Sequence, residues 1–215
     1  MRLLFVGAPA VGKGTQAKKL AQALGVPHIS TGDILRETAK QNTDLGHKVK
    51  KYIDLGSLVP DEVMMNIIEE RFRKGDTKGG YILDGFPRTT AQAMGLDMLL
   101  ARLGQSIDKV LLFECPDSVI MERIIERRSC PKDGTPYHLR WQKPKVDNVC
   151  DLCGTPLVQR VDDTRTKVFH RLDQYRSETA AVIPHYEKRS IVRRINANQP
   201  PADVYREVEA VVKKG

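Results

Sequence analysis

The stretch LLFVGAPAVGKGTQAKKL, residues 3–20, constrains this chain more than any other. Its first four residues are apolar, do not alternate and are stopped by glycine, as in a short strand covered on both faces of a parallel sheet. Beyond Thr15, the residues Ala17, Leu20, Ala21 and Leu24 recur at helical spacing, which predicts a helix directly after the turn. The turn itself holds Gly7, Gly12, Lys13 and Gly14. The spacing G-x-x-x-x-G-K from Gly7 to Lys13, set between strand and helix, is that of a phosphate-binding loop. Glycines let the backbone wrap closely round an anion with N–H groups inward and the positive end of the helix dipole behind them. Lys13 is placed to reach the outer phosphates. The Ser or Thr that commonly follows this lysine is Gly14, with Thr15 one place later, so direct hydroxyl ligation of magnesium is in question.

At 215 residues the chain can bury a full core as one domain with insertions. No apolar run approaches the ~20 residues that span a bilayer, and MRLLFVGAPA turns glycine-rich too soon for a signal peptide. The expectation is a cytoplasmic protein. The formal charge of +8 suggests an anionic partner without choosing among nucleic acid, acidic membrane and small phosphates.

VPHIS at 26–30 reads as a second strand, with Ser30, Thr31 or Asp33 capping a helix that begins near Ile34. Residues 33–74 read as helices broken at Gly46 and at DLGSLVPDEV, with a new start at Asp61. Strands follow at 81–83, 109–114 and 191–196. This alternation predicts an α/β fold, a parallel sheet flanked by helices with ligands at the carboxyl ends of the strands. Residues 128–164 break the rhythm with clustered Pro, Gly, Asp and Cys, as an inserted subdomain does.

Asp84, at the end of the third strand, suits a magnesium ion held partly through water. Arg88 follows in FPR, offering a planar fork to phosphate. Arg123 and Arg127 are spaced to share a helix face, and Arg160 and Arg171 flank Asp162 and Asp163. Several arginines beside a phosphate loop suit a reaction that spreads charge over phosphoryl oxygens.

GAPAVGKGTQ, ISTGDILR, LDGFPRTTAQA and this arginine series together resemble the adenylate kinase family in its long-lid form, over essentially the whole chain. The resemblance implies a P-loop core with a five-stranded parallel sheet at 1–29, 60–125 and 164–215, an AMP-binding subdomain at 30–59 and a lid at 126–163. It implies Mg²⁺-dependent phosphoryl exchange between ATP and AMP to give two ADP. Carried over, Lys13 and the backbone of Ala10, Val11, Gly12, Gly14 and Thr15 hold donor phosphates, while Arg127, Pro136 and Tyr137 close over ATP and Gln199 touches the donor adenine. Thr31, Arg36, Ser57, Leu58, Val59, Gly85, Phe86, Pro87, Arg88 and Gln92 form the AMP pocket, with Gln92 reading the adenine edge. Arg123, Arg160 and Arg171 bridge the two nucleotides. Lys13, Arg88, Arg123, Arg127, Arg160 and Arg171 are the catalytic set. Ala10 replaces a commonly found glycine.

Of four cysteines, Cys115 ends a strand as a small apolar residue. The other three lie in CPKDGTP (130–136) and CDLCGTP (150–156), one knuckle written twice. Their alignment sets Asp133 opposite Cys153 and completes a zinc-ribbon ligand set of Cys130, Asp133, Cys150 and Cys153, with His138 as the alternative fourth ligand. The ion's role is structural, helping to fold a small lid. A rival from another class is a zinc-ribbon nucleic-acid module using Trp141 and Tyr137, which leaves the phosphate loop and DGFPR idle. Within the enzymes, a kinase using GTP or another monophosphate is the alternative. The expected partners are ATP, AMP and ADP, with no nucleic acid and no membrane, acting on a monomer.

Overall fold

The computed structural model describes residues 1–160 and 163–213. The chain runs β1 (Arg2–Gly7), α1 (Lys13–Leu24), β2 (His28–Ser30), α2 (Thr31–Lys40), α3 (Asp44–Leu55), α4 (Asp61–Arg73), β3 (Tyr81–Asp84), α5 (Thr90–Arg102), β4 (Lys109–Glu114) and α6 (Asp117–Ile125). It continues through β5 (Arg127–Ser129), β6 (Pro136–His138), α7 (Arg165–Ser177), α8 (Val182–Glu187), β7 (Val192–Asn196) and α9 (Pro201–Lys213). Five strands form one sheet in the order β2-β3-β1-β4-β7, and every pairing in it is parallel. The remaining two, β5 and β6, pair antiparallel and apart from it. Among the described residues no helix is long and apolar enough to cross a membrane.

The apolar runs follow from the sheet having no wet face. Leu4 and Val6 of β1 pack with Tyr81, Leu83, Val110 and Leu112 in a core shared with α4, α5 and α8. Their alternates Leu3 and Phe5 pack with Ile82, Leu111 and Phe113 against α1 and α9. Successive strand residues point to opposite faces, so a strand covered twice must be apolar at every position. The five expected strands form, with β2 beginning two residues later than the sequence suggests and β7 one.

Two local expectations are corrected. The interruption predicted at Gly46 lies at residues 41–43, and Gly46 sits in the first turn of α3, its amide donating to the Thr43 hydroxyl at 3.0 Å. The residue is small for another reason: a Cβ there would lie 2.2 Å from the Gln41 carbonyl oxygen and 2.8 Å from that of Thr38. Arg127 is not on the helix of Arg123. α6 ends at Ile125 because the backbone from Arg127 onward pairs with β6, Arg127 opposite His138. Of the three capping residues proposed for α2, Ser30 takes the position, its hydroxyl accepting from Asp33 N at 3.2 Å, and the helix starts at Thr31. Asp162 lies outside the described residues.

Candidate active site

The loop between β1 and α1 is shaped by three left-handed or near-left-handed residues, Gly7, Ala10 and Gly12. A Cβ on Gly7 would come 2.6 Å from the carbonyl oxygen of Phe113 on β4, so only glycine lets the loop leave the sheet there. Ala10 adopts the left-handed conformation with φ 55° despite its side chain. Lys13 opens α1 and folds back over the loop, its ammonium donating to the carbonyls of Gly7 and Ala8 at 2.7 and 2.8 Å. Burial pulls its pKa down to about 8; Asp84 opposes that shift, while Arg88, Arg171 and Arg127 reinforce it.

Asp84 ends β3 directly beside the loop, opposite Phe5 of β1 and Ser30 of β2. Gly14 brings the first turn of α1 against it, since a Cβ there would lie 3.4 Å from Asp84 Oδ2. His28 Nε2 stands 3.4 Å from the same oxygen. A carboxylate facing a lysine and a phosphate loop fits a hydrated magnesium ion.

The loop floors a cavity into which Arg36, Arg88, Arg123, Arg127, Arg160 and Arg171 all project from different elements. Several are held by their neighbours. Arg127 makes a two-pronged pair with the buried Asp163, with Nε 2.8 Å from Oδ2. Arg36 pairs with Asp33 at 2.5 Å, Arg160 Nε donates to the Ser129 hydroxyl at 3.2 Å, and Arg88 Nε to the Gly85 carbonyl at 2.7 Å. Pro136, Tyr137 and Gln199 also line this cavity, Gln199 with Nε2 donating to Glu207 at 2.8 Å.

A second, smaller groove adjoins it. Thr31, Arg36, Ser57, Leu58, Val59, Gly85, Arg88, Gln92 and Arg171 line it, so most of the residues expected of one pocket are together. Two exceptions are Phe86, 1% exposed in the main core, and Pro87, which faces the larger cavity. Arg160 also faces the larger cavity and not the groove. Gly85 has φ +80°, and a Cβ would stand 3.0 Å from the Thr31 hydroxyl, which itself donates to the carbonyls of Asp84 and Gly85.

Several residues take places in the geometry that the sequence did not signal. Trp141 and His138 stack at 4.4 Å between ring centres, and Arg123 lies 5.2 Å from the Trp141 ring while donating to the Val11 carbonyl. Together they form an aromatic and cationic wall of the larger cavity. His138 Nδ1 accepts from the backbone amides of Arg140 and Trp141, and burial lowers its pKa, so the proton of the neutral ring sits on Nε2. Trp141 figured in the sequence only as part of the nucleic-acid reading. Asp61 and Asp163 hold Gln92 and Arg127; the sequence marked the first only as a helix start, which it is, and the second only as a neighbour of Arg160 and Arg171.

The two knuckles superpose bond for bond. Cys130 N donates to Thr135 O and Gly134 N to Cys130 O; Cys150 N donates to Thr155 O and Gly154 N to Cys150 O. Gly134 and Gly154 take φ 68° and 69°. The side-chain ligand atoms of Cys130, Asp133, Cys150 and Cys153 all lie within 4.8 Å of one another. Adjacent ligands of a tetrahedral zinc with Zn–S bonds near 2.3 Å stand about 3.8 Å apart, so three thiols and a carboxylate at this spacing fit the ion. The Thr135 amide donates to Asp133 Oδ1 at 2.8 Å and fixes the carboxylate's orientation. His138 is not part of the cluster. Cys115 is half-buried, and burial raises its thiol pKa.

A phosphate loop at the carboxyl edge of a parallel sheet, with two adjoining pockets ringed by guanidinium groups, places the chain among P-loop proteins that act on nucleotide phosphates. The family model described as adenylate kinase matches residues 5–191. Proteins named adenylate kinase from Caldicellulosiruptor saccharolyticus and Archaeoglobus fulgidus are 47% and 44% identical over 208 and 214 residues. The alignments cover 97% of both chains in the first case and 100% of this chain and 99% of the relative in the second. One from Clostridium perfringens is 43% identical over 97% of this chain and 96% of its own. The chain belongs to the adenylate kinase family.

Proposed function

We propose that the chain catalyses Mg²⁺-dependent, reversible transfer of a phosphoryl group from ATP to AMP, giving two ADP. The observation that carries this is the meeting of the two pockets: Arg36, Arg88 and Arg171 line both, beside the loop that carries Lys13. Two nucleotides seated with their bases at opposite ends would bring their phosphates together at that shared basic junction. ATP takes the larger cavity, with its phosphates on the backbone of residues 10–15 and on Lys13 and its base between the lid and Gln199. AMP takes the groove, its base toward Gln92 and its phosphate toward Arg36 and Arg88.

No side chain need act as nucleophile. An oxygen of the AMP phosphate attacks the γ-phosphorus in line, and the bond to the bridging oxygen of ADP breaks. Lys13, Arg88, Arg123, Arg127, Arg160 and Arg171 stabilise the charge on the phosphoryl oxygens, so the protein contributes position and field. Asp84 would hold a magnesium ion through water, and the ion would supply positive charge to offset that of the donor phosphates. In this reading residues 30–59 form the acceptor subdomain, residues 126–163 a lid folded round a structural zinc, and the rest the core. Lid closure keeps water from the γ-phosphoryl group. The same reading takes the chain as a cytoplasmic monomer whose partners are the nucleotides alone.

A coupled assay across nucleotide pairs tests it. ATP with AMP should give the highest kcat/KM. Faster turnover with GTP as donor, or with a pyrimidine monophosphate as acceptor, would replace the substrate assignment while keeping the reaction class.

A further inference from the structure

The side chain of Gln92 is 1% exposed and is held at both ends. Its Oε1 accepts from the backbone amide of Arg88 at 2.8 Å, and its Nε2 donates to Asp61 Oδ1 at 2.7 Å. Asp61 opens α4, far from Gln92 in sequence, and is itself fixed: the Thr89 hydroxyl donates to its Oδ2 at 2.9 Å while accepting from Gln92 N at 3.1 Å. A carboxylate has no proton to give and a backbone N–H has no lone pair to accept with. Turning the amide over would therefore set oxygen against the carboxylate and NH₂ against N–H. Buried from water, both groups would be left without partners, and that loss is far larger than the gain from a made hydrogen bond.

We propose that Asp61 is a specificity-determining residue: by allowing the Gln92 amide only one orientation, it makes the acceptor groove select a 6-amino purine over a 6-oxo purine. This rests on the reading above that Gln92 faces the acceptor base in the groove it lines. After its two fixed bonds the amide retains one N–H and one oxygen lone pair, in a fixed order along the base edge. Adenine presents a donor at its 6-amino group beside an acceptor at N1. Hypoxanthine presents the reverse, an acceptor at O6 beside a donor at N1, on a ring of nearly the same shape. A freely turning amide serves both, whereas a locked one serves only the first. Asp61 touches no substrate and acts through Gln92 as a positioning residue.

The test compares AMP and IMP as acceptors with saturating ATP, reading kcat/KM for each. In Asp61→Asn, of nearly the same shape, the group facing Gln92 can donate as well as accept, so only the Arg88 N–H still opposes the turned amide. The AMP-to-IMP ratio should fall by about tenfold or more, with the KM for ATP unchanged. Asp61→Ser, measured alongside, keeps the comparison available if the first variant does not fold. A merely structural role would lower both acceptors by the same factor, and that result overturns the proposal. Gln92→Leu separates the two layers of the argument. If it abolishes the discrimination while Asp61→Asn and Asp61→Ser preserve it, the lock is wrong and the base contact stands. If Gln92→Leu leaves the ratio unchanged, the base contact fails and the proposal falls with it.

Discussion

Lys13 is held charged by the loop carbonyls and discharged by its burial. Its pKa of about 8 lies below the 10.5 of an exposed lysine, so between those values the unfolded chain binds more protons than the folded one. Its burden on stability is therefore full below pH 8 and lifts as pH rises toward 10.5. Binding a polyphosphate adds the negative charge that the site lacks and should raise the pKa again. Nucleotide binding is then expected to take up a proton above pH 8, and ATP affinity to fall by up to about tenfold per pH unit there. Titration calorimetry in two buffers of different ionisation enthalpy at pH 8.5 reads this uptake directly. Lys13→Met should abolish it, and an unchanged proton count in that variant would move the titrating group elsewhere.

The two knuckles show how far a local repeat carries. C-x-x-D-G-T-P and C-x-x-C-G-T-P share their turn glycine and backbone bonding, so Asp133 and Cys153 occupy equivalent slots. Asp133→Ala is expected to lower zinc bound per chain and the unfolding temperature of the lid, because a small lobe with a core of Cys130, Tyr137, Cys150 and Leu157 buries little else. His138→Ala should leave zinc content intact, since that ring faces the cavity instead. Elemental analysis of both variants decides between them, and loss of zinc only in the histidine variant would sink the ligand set. The same contrast explains what could be read from the chain. Strands, helices, the phosphate loop and the knuckles are written in neighbouring residues. The Asp61–Gln92 bond and the place of Arg127 in a strand depend on segments that local pattern does not join, and the need for Gly46 depends on how the bend between α2 and α3 turns the carbonyls of Thr38 and Gln41 onto it.

At the scale of the molecule, the larger cavity is lined on one side by the phosphate loop and on the other by residues of the β5–β6 lobe proposed above as a lid, so its completeness depends on what ties one to the other. Lys18 of α1 donates to the carbonyl of Gly134, the residue after Asp133, at 3.0 Å. Arg123 makes a second tie, bonded to Val11 in the loop and lying over Trp141 in that lobe. The lysine bond reaches the Cys130–Asp133 knuckle itself, so the turn carries its pull to Pro136 and Tyr137. Removing it should favour the open lid by about 1 kcal/mol, the worth of one such bond. Lys18→Met is then expected to raise the KM for ATP several-fold, leave that for AMP unchanged and lengthen the lid-to-core distance read by paired fluorophores. Lys18 also borders the cavity, and its charge alone could attract donor phosphates. Lys18→Gln separates these effects, because it keeps an N–H donor and loses the charge. Partial recovery of both KM and distance would identify a tether, whereas a glutamine variant as weak as the methionine one, with the lid distance unmoved in both, would leave only the field of the ammonium.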